Sequence, residues 1–195
     1  TLALDGWILA LCCIKIHVEG LEKVPTDSEF LFVSNHRSNF DPMVQWWVLR
    51  RWPLAFVSKL SNMRKFVIGP FVRRCCFLPI DRENARNALT TINAAANLIR
   101  AHVCSFAIYP EGTRSKSAEL LPWHAGSLKI AQKAGVPIVV GTVEGTERIA
   151  RNVPWRRSHV YVRIREVIPA EAVKAATTSA LTADICGKMR AALGK

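Results

Sequence analysis

Short apolar runs alternate along the chain with stretches in which apolar residues recur every three or four positions. The runs are typical of β-strands, and the longer period is typical of amphipathic helices. Phe30–Val33 is apolar throughout, which favours a central strand of a sheet covered on both faces. The predicted strands are 15–19, 30–33, 54–57, 77–80, 104–109, 137–143 and 159–165, and the predicted helical segments are 42–51, 70–76, 84–101, 126–133 and 182–193.

Strands separated by helices indicate the α/β class. We therefore expect a mixed, largely parallel sheet flanked by helices. Segment 159–165 alternates apolar and polar residues, so we predict an edge strand there. Pro79 cannot donate a ladder hydrogen bond, which places strand 77–80 at an edge or a bulge. Ligands of such folds gather in loops beyond the carboxyl ends of the strands, here 34–41, 81–82 and 110–115.

Composition narrows the function classes. The chain has 195 residues, half of them hydrophobic, with 27 Lys and Arg against 15 Asp and Glu, a formal charge of +12. This length suits one domain, and the apolar content excludes a disordered chain. The basic surplus leaves nucleic acid, an anionic membrane or a phosphorylated substrate as partner. The six cysteines form no C-x-x-C, so we predict no metal site and reduced, cytosolic thiols.

His36 and Asp41 stand out in the first of these loops. A helix would place side chains five positions apart about 140° around its axis, and a strand would place them on opposite faces. The two therefore meet only if the loop curls back. A carboxylate on one imidazole nitrogen would leave the other free as a general base. The alternative is that His36 bonds locally and that Asp41 caps a helix beginning at Pro42.

The other two loops are weaker signals when each is taken alone. Arg82, at the end of a strand, could present its planar guanidinium to a phosphate, although Asp81 could also pair with it. Gly112 allows close approach of the backbone to a ligand, and Arg114 could help to hold an anion there. For the loop at 110–115, the alternative is an exposed turn with solvated charges.

Taken together, the loops resemble four sequence blocks of the glycerolipid acyltransferases. Asn35–Asp41 resembles the N-H-x-x-x-x-D block, and Phe77–Arg82 resembles a block in which an apolar strand ends in Asp-Arg. Tyr109–Ser115 resembles F-P-E-G-T-R-S with Tyr for Phe, and Val136–Val140 resembles a V-P-I-V-P-like strand. Lys59 resembles a family lysine between the first two blocks. The similarity is greatest to bacterial 1-acyl-sn-glycerol-3-phosphate acyltransferases, known as lysophosphatidate acyltransferases.

The resemblance implies the αβ sandwich of that family and an acyl transfer reaction. A fatty acyl group would pass from acyl-CoA or acyl-carrier protein to the sn-2 hydroxyl of a lysophosphatidate, giving phosphatidic acid without a metal or another cofactor. His36 would be the general base, and Asp41 would orient it. The implied acceptor-binding residues are Lys59, Arg82, Glu111, Gly112, Thr113 and Arg114. Glycerol 3-phosphate or another lysophospholipid remains an alternative acceptor, and a CoA-independent transacylase is an alternative activity.

The N-terminal segment and the basic residues point to a membrane. We expect residues 1–14 to be the remnant of a membrane-associated helix and residues 15–195 to form the acyltransferase domain. The uncharged run 6–14 is shorter than the roughly 20 residues that a span requires. It could therefore be an interfacial anchor, a buried helix or the end of a longer spanning helix.

Tryptophan and arginine occur together in two places. One cluster surrounds Trp46 and Trp47, and a smaller one surrounds Trp155. Trp and Arg favour lipid headgroups, so we expect an anionic membrane surface, at the cytoplasmic face, as a partner. Core packing is the alternative for Trp46 and Trp47. Nucleic acid is not expected, because no recognised motif or interleaving of aromatic and basic residues is present.

Overall fold

A single sheet organises the fold. The computed structural model describes residues 2–59, 77–80, 84–115, 117 and 119–194, and in these residues the sheet has seven strands in the order β1-β7-β6-β2-β5-β3-β4. The strands are β1 (Ile14–Glu19), β2 (Leu31–Ser34), β3 (Leu54–Lys59), β4 (Leu78–Ile80), β5 (Ser105–Ile108), β6 (Ile138–Glu144) and β7 (Ser158–Ile168).

The sheet is mixed and largely parallel, as the sequence predicts. Strands β6, β2, β5, β3 and β4 run in one direction. β7 is antiparallel to β6, and β1 is parallel to β7. β2 lies at the centre and is buried along its whole length, which explains its continuous apolar sequence. Because β2 pairs with β5 on one side and β6 on the other, the loops that follow these three strands meet at one edge of the sheet.

The prediction of an edge strand at 159–165 is wrong. β7 lies between β1 and β6, and β1 is the edge strand. The sequence of β7 alternates because Val160, Val162 and Ile164 are buried against helices on one face, while the other face is polar. Alternation therefore reports which face of a strand is covered, not how many strands flank it. Pro79 does lie in an edge strand, since β4 ends the sheet.

Seven helices in the described residues cover the sheet. They are α1 (Leu2–Leu11), α2 (Asp41–Val48), α3 (Ala85–Arg100), α4 (Lys129–Ala134), α5 (Ile149–Asn152), α6 (Ala170–Ala175) and α7 (Thr178–Leu193). Asn84 caps α3 by accepting from two backbone N–H groups of its first turn. Gly135, at φ +74°, ends α4, which corresponds to the predicted helical segment 126–133. The predicted helical turn at 70–76 lies outside the described residues.

Two apolar cores lie on opposite faces of the sheet. Leu31 and Val33 of β2 face α3, α4, α6 and α7, whereas Phe30 and Phe32 face α1, α2 and α5. α1 packs closely on α2, since a Cβ added to Gly6 would lie 2.7 Å from the Trp47 ring. Trp46 and Trp47 are half-buried and pack against this second core. None of the described helices has the length and apolar content needed to cross a bilayer.

Candidate active site

The loop after β2 is anchored by Asn35. Its buried side-chain amide donates to the Val143 carbonyl at 2.9 Å and accepts from the Val143 N–H at 2.8 Å. β2 and β6 are already paired up to Ser34 and Gly141. The Asn35 side chain therefore continues the ladder while its backbone leaves the sheet. This arrangement begins the turn that the sequence predicts between His36 and Asp41.

His36 and Asp41 meet, as the sequence predicts. His36 Nδ1 lies 2.8 Å from Asp41 Oδ2, and the Asp41 side chain is completely buried. The same oxygen accepts from the backbone N–H groups of Arg37 at 2.6 Å and Ser38 at 2.7 Å. The carboxylate therefore holds the curled loop together as well as the imidazole. With Nδ1 bound to the carboxylate, Nε2 is left to accept a proton from a ligand.

The alternative role of Asp41 as a helix cap is wrong. Phe40 occupies the N-cap position of α2 without a side-chain hydrogen bond, and Asp41 is the first residue of the helix, followed by Pro42. Its carboxylate turns back toward the preceding loop instead of the first helical turn. Three donors in the loop hold the carboxylate there, so the cap position has no side-chain acceptor.

Thr146 completes the surroundings of Asp41, and the sequence reasoning missed it. Its hydroxyl donates to Asp41 Oδ1 at 2.5 Å. Four donors thus converge on one buried carboxylate, and both of its oxygens serve as acceptors. Thr146 follows β6, where Gly145 has φ +90° and a Cβ would overlap the His159 carbonyl. Thr146 could have been identified from its position just after the fourth sequence block, because the loops that follow neighbouring parallel strands converge at one edge of the sheet.

Tyr109, after β5, stacks on the His36 imidazole. The ring centroids of Tyr109 and His36 are 4.1 Å apart, with 11° between the planes. The Tyr109 hydroxyl donates to Gln45 Oε1 at 2.8 Å, and Gln45 Nε2 donates to Ser34 Oγ at 2.9 Å. Burial raises the pKa of Tyr109 well above its usual 10, and the negative charge of Asp41 adds to this effect. The hydroxyl therefore stays protonated as a donor.

Glu111 joins the β5 loop to the β2 loop. Its carboxylate accepts from the His36 N–H at 2.8 Å and from the Leu121 N–H at 2.9 Å, and the residue is 3% exposed. Burial raises the pKa of Glu111, while these two backbone donors act in the opposite direction. The Ser115 N–H donates to the His36 carbonyl at 2.8 Å. Both backbone polar groups of His36 are therefore bound by the β5 loop.

The remaining predicted residues lie at the open side of the site. Gly112 is buried at φ +69°, a conformation that favours glycine. Thr113 and Arg114 follow it and are exposed. Lys59, also exposed, is the last residue of β3 and lies at the same edge of the sheet as the end of β5. Arg82 lies outside the described residues.

A cavity of about 140 Å³ lies beside Tyr109 and Gly112. Most of its wall is apolar, and it extends from the carboxyl ends of the strands toward α3. The apolar side chains that line it include Val57, Ile80, Ala88, Ile92 and Ile108. In the part of the chain that the structure describes, no group of three or more His, Cys, Asp or Glu side chains is arranged to hold a metal ion.

Comparison with known sequences gives a consistent set of similarities. A family model described as Acyltransferase matches residues 15–143. A chloroplastic 1-acyl-sn-glycerol-3-phosphate acyltransferase of Brassica napus is 32% identical over 136 residues, covering 69% of this chain and 39% of the relative. The enzyme of the same name from Escherichia coli is 32% identical over 149 residues, covering 74% of this chain and 59% of the relative.

A relative from Limnanthes douglasii with the same enzyme name is 28% identical, covering 82% of this chain and 54% of the relative. The chain thus spans about half the length of the curated relatives it matches. The crystal structure of PlsC, a 1-acyl-sn-glycerophosphate acyltransferase from Thermotoga maritima, superposes with a TM-score of 0.80 at 21% identity. The match covers 98% of this chain and 76% of that one, which shows that the two share a fold.

Proposed function

This chain belongs to the acyltransferase family, and we propose that it acylates 1-acyl-sn-glycerol 3-phosphate at the sn-2 hydroxyl. The product is phosphatidic acid, and the donor is a fatty acyl thioester of CoA or of acyl-carrier protein. The proposal takes its substrate from the names of the relatives. Its chemistry rests on one observation, the contact of 2.8 Å between His36 Nδ1 and the buried Asp41 carboxylate.

That contact supports general-base catalysis by His36. With its Nδ1–H held by Asp41, the imidazole presents Nε2 as an acceptor for the proton of the substrate hydroxyl. The hydroxyl oxygen attacks the thioester carbonyl, and the carbon–sulfur bond breaks. The proton held on His36 passes to the departing thiolate, so the side chain returns to its starting state. Asp41 stabilises the imidazolium that forms in between.

The open side of the site supports recognition of a phosphomonoester. Arg114 and Lys59 place positive charge at the edge of the sheet that carries His36, and both are exposed. Cationic donors bind phosphate oxygens through charge-assisted hydrogen bonds. We assign Thr113 and Gly112 to the same acceptor site, with Arg82 as a further candidate. Glu111 contributes by fixing the loop, because both carboxylate oxygens accept from backbone N–H groups.

The apolar cavity supports the binding of a fatty acyl chain. It lies beside Tyr109, which itself stacks on His36. An acyl chain placed there loses contact with water while its carbonyl end remains near the imidazole. A direct comparison of acyl-CoA with acyl-carrier protein tests which of them delivers that chain.

We place the reaction at the cytoplasmic face of the cell membrane, since the acceptor is a membrane lipid. The first helix supports a position at a membrane surface, because Trp7 and Leu11 are each 70% exposed. Exposed Trp and Leu side chains on a helix are typical of an interfacial segment. We retain residues 1–14 as a membrane-associated element and 15–195 as the acyltransferase domain.

The experiment is a thiol-release assay with acyl-CoA and three acceptors. These are lysophosphatidate, glycerol 3-phosphate and lysophosphatidylcholine, with the product identified by mass spectrometry. A parallel series replaces acyl-CoA with acyl-carrier protein. We expect release of the thiol that depends on lysophosphatidate and yields phosphatidic acid.

Two outcomes would overturn the proposal. Turnover with glycerol 3-phosphate or lysophosphatidylcholine, but not with lysophosphatidate, would assign a different acceptor. Formation of phosphatidic acid from phospholipids without any thioester would assign a transacylase. A mixture without the acceptor measures simple hydrolysis of the thioester and serves as the blank.

A further inference from the structure

The turn between α5 and β7 carries the most exposed of the large apolar side chains that the structure describes. Trp155 is 91% exposed, compared with 70% for Trp7 and Leu11. An indole ring has a large apolar surface that favours contact with another apolar phase over water. The catalytic site uses neither Trp155 nor its neighbours, so the exposure has another explanation.

Arginines surround this tryptophan. Residues 148–157 contain Arg148, Arg151, Arg156 and Arg157 and no Asp or Glu, and all four arginines are exposed. Arg148 lies 3.6 Å from the Glu147 carboxylate. The other three form no ion pair with any carboxylate of the described residues. The segment 148–157, which we call the arginine turn, therefore presents uncompensated positive charge around an apolar ring.

The arginine turn lies at the same edge of the sheet as the catalytic loop. β7 is antiparallel to β6 and pairs Tyr161 with Glu144, so β7 begins where β6 ends. The turn also begins two residues after Thr146, whose hydroxyl binds Asp41. At its other end, the Ser158 N–H donates to the Cys13 carbonyl at 3.1 Å. The turn therefore abuts the segment that follows α1, whose last residue is the exposed Leu11.

We propose that the arginine turn docks on the surface of an anionic lipid bilayer. Trp155 enters the headgroup region, and Arg151, Arg156 and Arg157 bind lipid phosphates. Two observations select this partner: the positive charge complements anionic lipid, and a lone Trp among Arg residues suits the boundary between headgroups and acyl chains. The inference deepens the proposed function and rests on it, because docking at this edge turns the catalytic loop toward the lipid that holds the acceptor.

Vesicle flotation measures this contact without any turnover. Vesicles of phosphatidylcholine alone are compared with vesicles that also contain phosphatidylglycerol. We expect Arg156→Gln/Arg157→Gln to weaken binding to the anionic vesicles by roughly thirtyfold and to leave binding to the neutral ones unchanged. Trp155→Ala should weaken binding to both, since its contribution is apolar. All of these side chains are exposed, so the variants should retain the wild-type circular dichroism spectrum and melting temperature.

The matched control is Lys133→Gln/Lys174→Gln, which removes the same charge from exposed positions. Lys133 lies in the last turn of α4, shortly before β6 begins, and Lys174 lies on α6 just after β7 ends. Since the start of β6 pairs with the end of β7, both lysines are near the opposite edge of the sheet. This variant should bind anionic vesicles as the wild type does. An equal loss of binding to anionic vesicles in the arginine and the lysine double variants would show that the attraction is nonspecific and would overturn the proposal.

Two further results would also overturn it. One is unchanged vesicle binding by both arginine-turn variants. The other is loss of binding to acyl-carrier protein or to duplex DNA, with vesicle binding retained, which would assign the turn to a different partner. Thiol release with a short-chain lysophosphatidate below its micelle concentration should be the same in wild type and in both turn variants. Absence of turnover in all of them would contradict the proposed function, whereas the vesicle result would still stand.

Discussion

The two sides of the candidate site are built in opposite ways. On the reacting side, His36 and Asp41 are held by the β2 loop itself, by the β5 loop and by Thr146 after β6. On the acceptor side, Lys59 and Arg114 are exposed. The geometry proposed for proton transfer is therefore present before any substrate arrives. We expect the exposed side chains of Lys59 and Arg114, in contrast, to become ordered only when they bind the acceptor's phosphate.

The reacting side should respond most strongly to the loss of one charge. In Asp41→Asn, the amide oxygen can still accept from His36 and the loop N–H groups while the amide nitrogen donates to the Thr146 hydroxyl. The fold and the imidazole orientation should therefore persist. Only the charge that stabilises the imidazolium is lost, and we expect turnover to fall by about a hundredfold or more. Steady-state thiol release measures the change, and circular dichroism checks the fold.

A normal turnover number in Asp41→Asn would mean that the negative charge of Asp41 is irrelevant to catalysis. Thr146→Ser is the matched variant, because it keeps the hydroxyl that binds Asp41. It should behave much as the wild type does.

On the acceptor side, the loss of a positive charge should weaken the binding of lysophosphatidate more than it lowers turnover. Arg114→Ala removes an exposed cation that we assign to the acceptor phosphate. A charge-assisted hydrogen bond of this kind is worth about 1.5 kcal/mol or more, so the KM for lysophosphatidate should rise roughly tenfold. The turnover number at saturation should change little. Arg190→Ala, an exposed arginine on α7, is the control.

The opposite pattern would contradict this assignment. If the KM for lysophosphatidate is unchanged in Arg114→Ala and the KM for the thioester rises, the guanidinium belongs to the donor site. Arg114 would then bind the thioester and not the acceptor's phosphate.

A substitution of Tyr109 separates the role of its ring from the role of its hydroxyl. Tyr109→Phe keeps the ring that stacks on His36 but loses the hydrogen bond to Gln45. Leaving a buried acceptor unpaired should cost about 1–2 kcal/mol of unfolding free energy, or a few degrees in melting temperature. Turnover should fall by less than about threefold, since His36 and Asp41 retain their contact. Calorimetry and thiol release measure the two effects.

The chain has one other tyrosine, Tyr161, so Tyr161→Phe is the matched control. It should change neither quantity. A large loss of turnover in Tyr109→Phe with an unchanged melting temperature would show instead that the hydroxyl takes part in the reaction.

The smallest expected effect is a pH dependence of stability from Glu111. Burial raises the pKa of this carboxyl above its usual 4.5, so the folded state binds the proton more tightly than the unfolded state does. Glu111 therefore contributes most to stability below about pH 4.5, and this contribution declines as the pH rises through the raised pKa. The difference in unfolding free energy between wild type and Glu111→Gln should accordingly fall with rising pH. Denaturant titrations across this range measure it, and a difference that grows with pH would contradict the prediction.

The fold was largely predictable because its signals are periodic. The apolar run 30–33 and the helical period in 84–101 correspond to β2 and α3. The prediction failed for β7, because alternation depends on which face of a strand is covered and not on its place in the strand order. α6, with six residues, was not predicted because a helix of less than two turns shows little of its period. α4 is equally short, but a glycine marks its end.

The candidate site was predictable where sequence separation is short. His36 and Asp41 are close in the chain, and the geometry of a curled loop follows from that spacing. Thr146 and Gln45 were missed because their contacts depend on strand order. Thr146 is 105 positions from Asp41, and Gln45 is 64 positions from Tyr109. Only the placement of β2 between β5 and β6 brings these groups to one edge.

The most direct measurement of the central claim, that His36 is the general base, is thiol release by His36→Ala. Acyl-CoA and lysophosphatidate are the substrates, and His102→Ala, an exposed histidine with a side chain 78% accessible, is the control. General-base catalysis is worth about 10²–10⁴-fold, so we predict a loss of this size in His36→Ala. We predict a wild-type circular dichroism spectrum in that variant and normal turnover in the control. A folded His36→Ala variant that releases thiol at a rate close to that of the wild type would contradict the account.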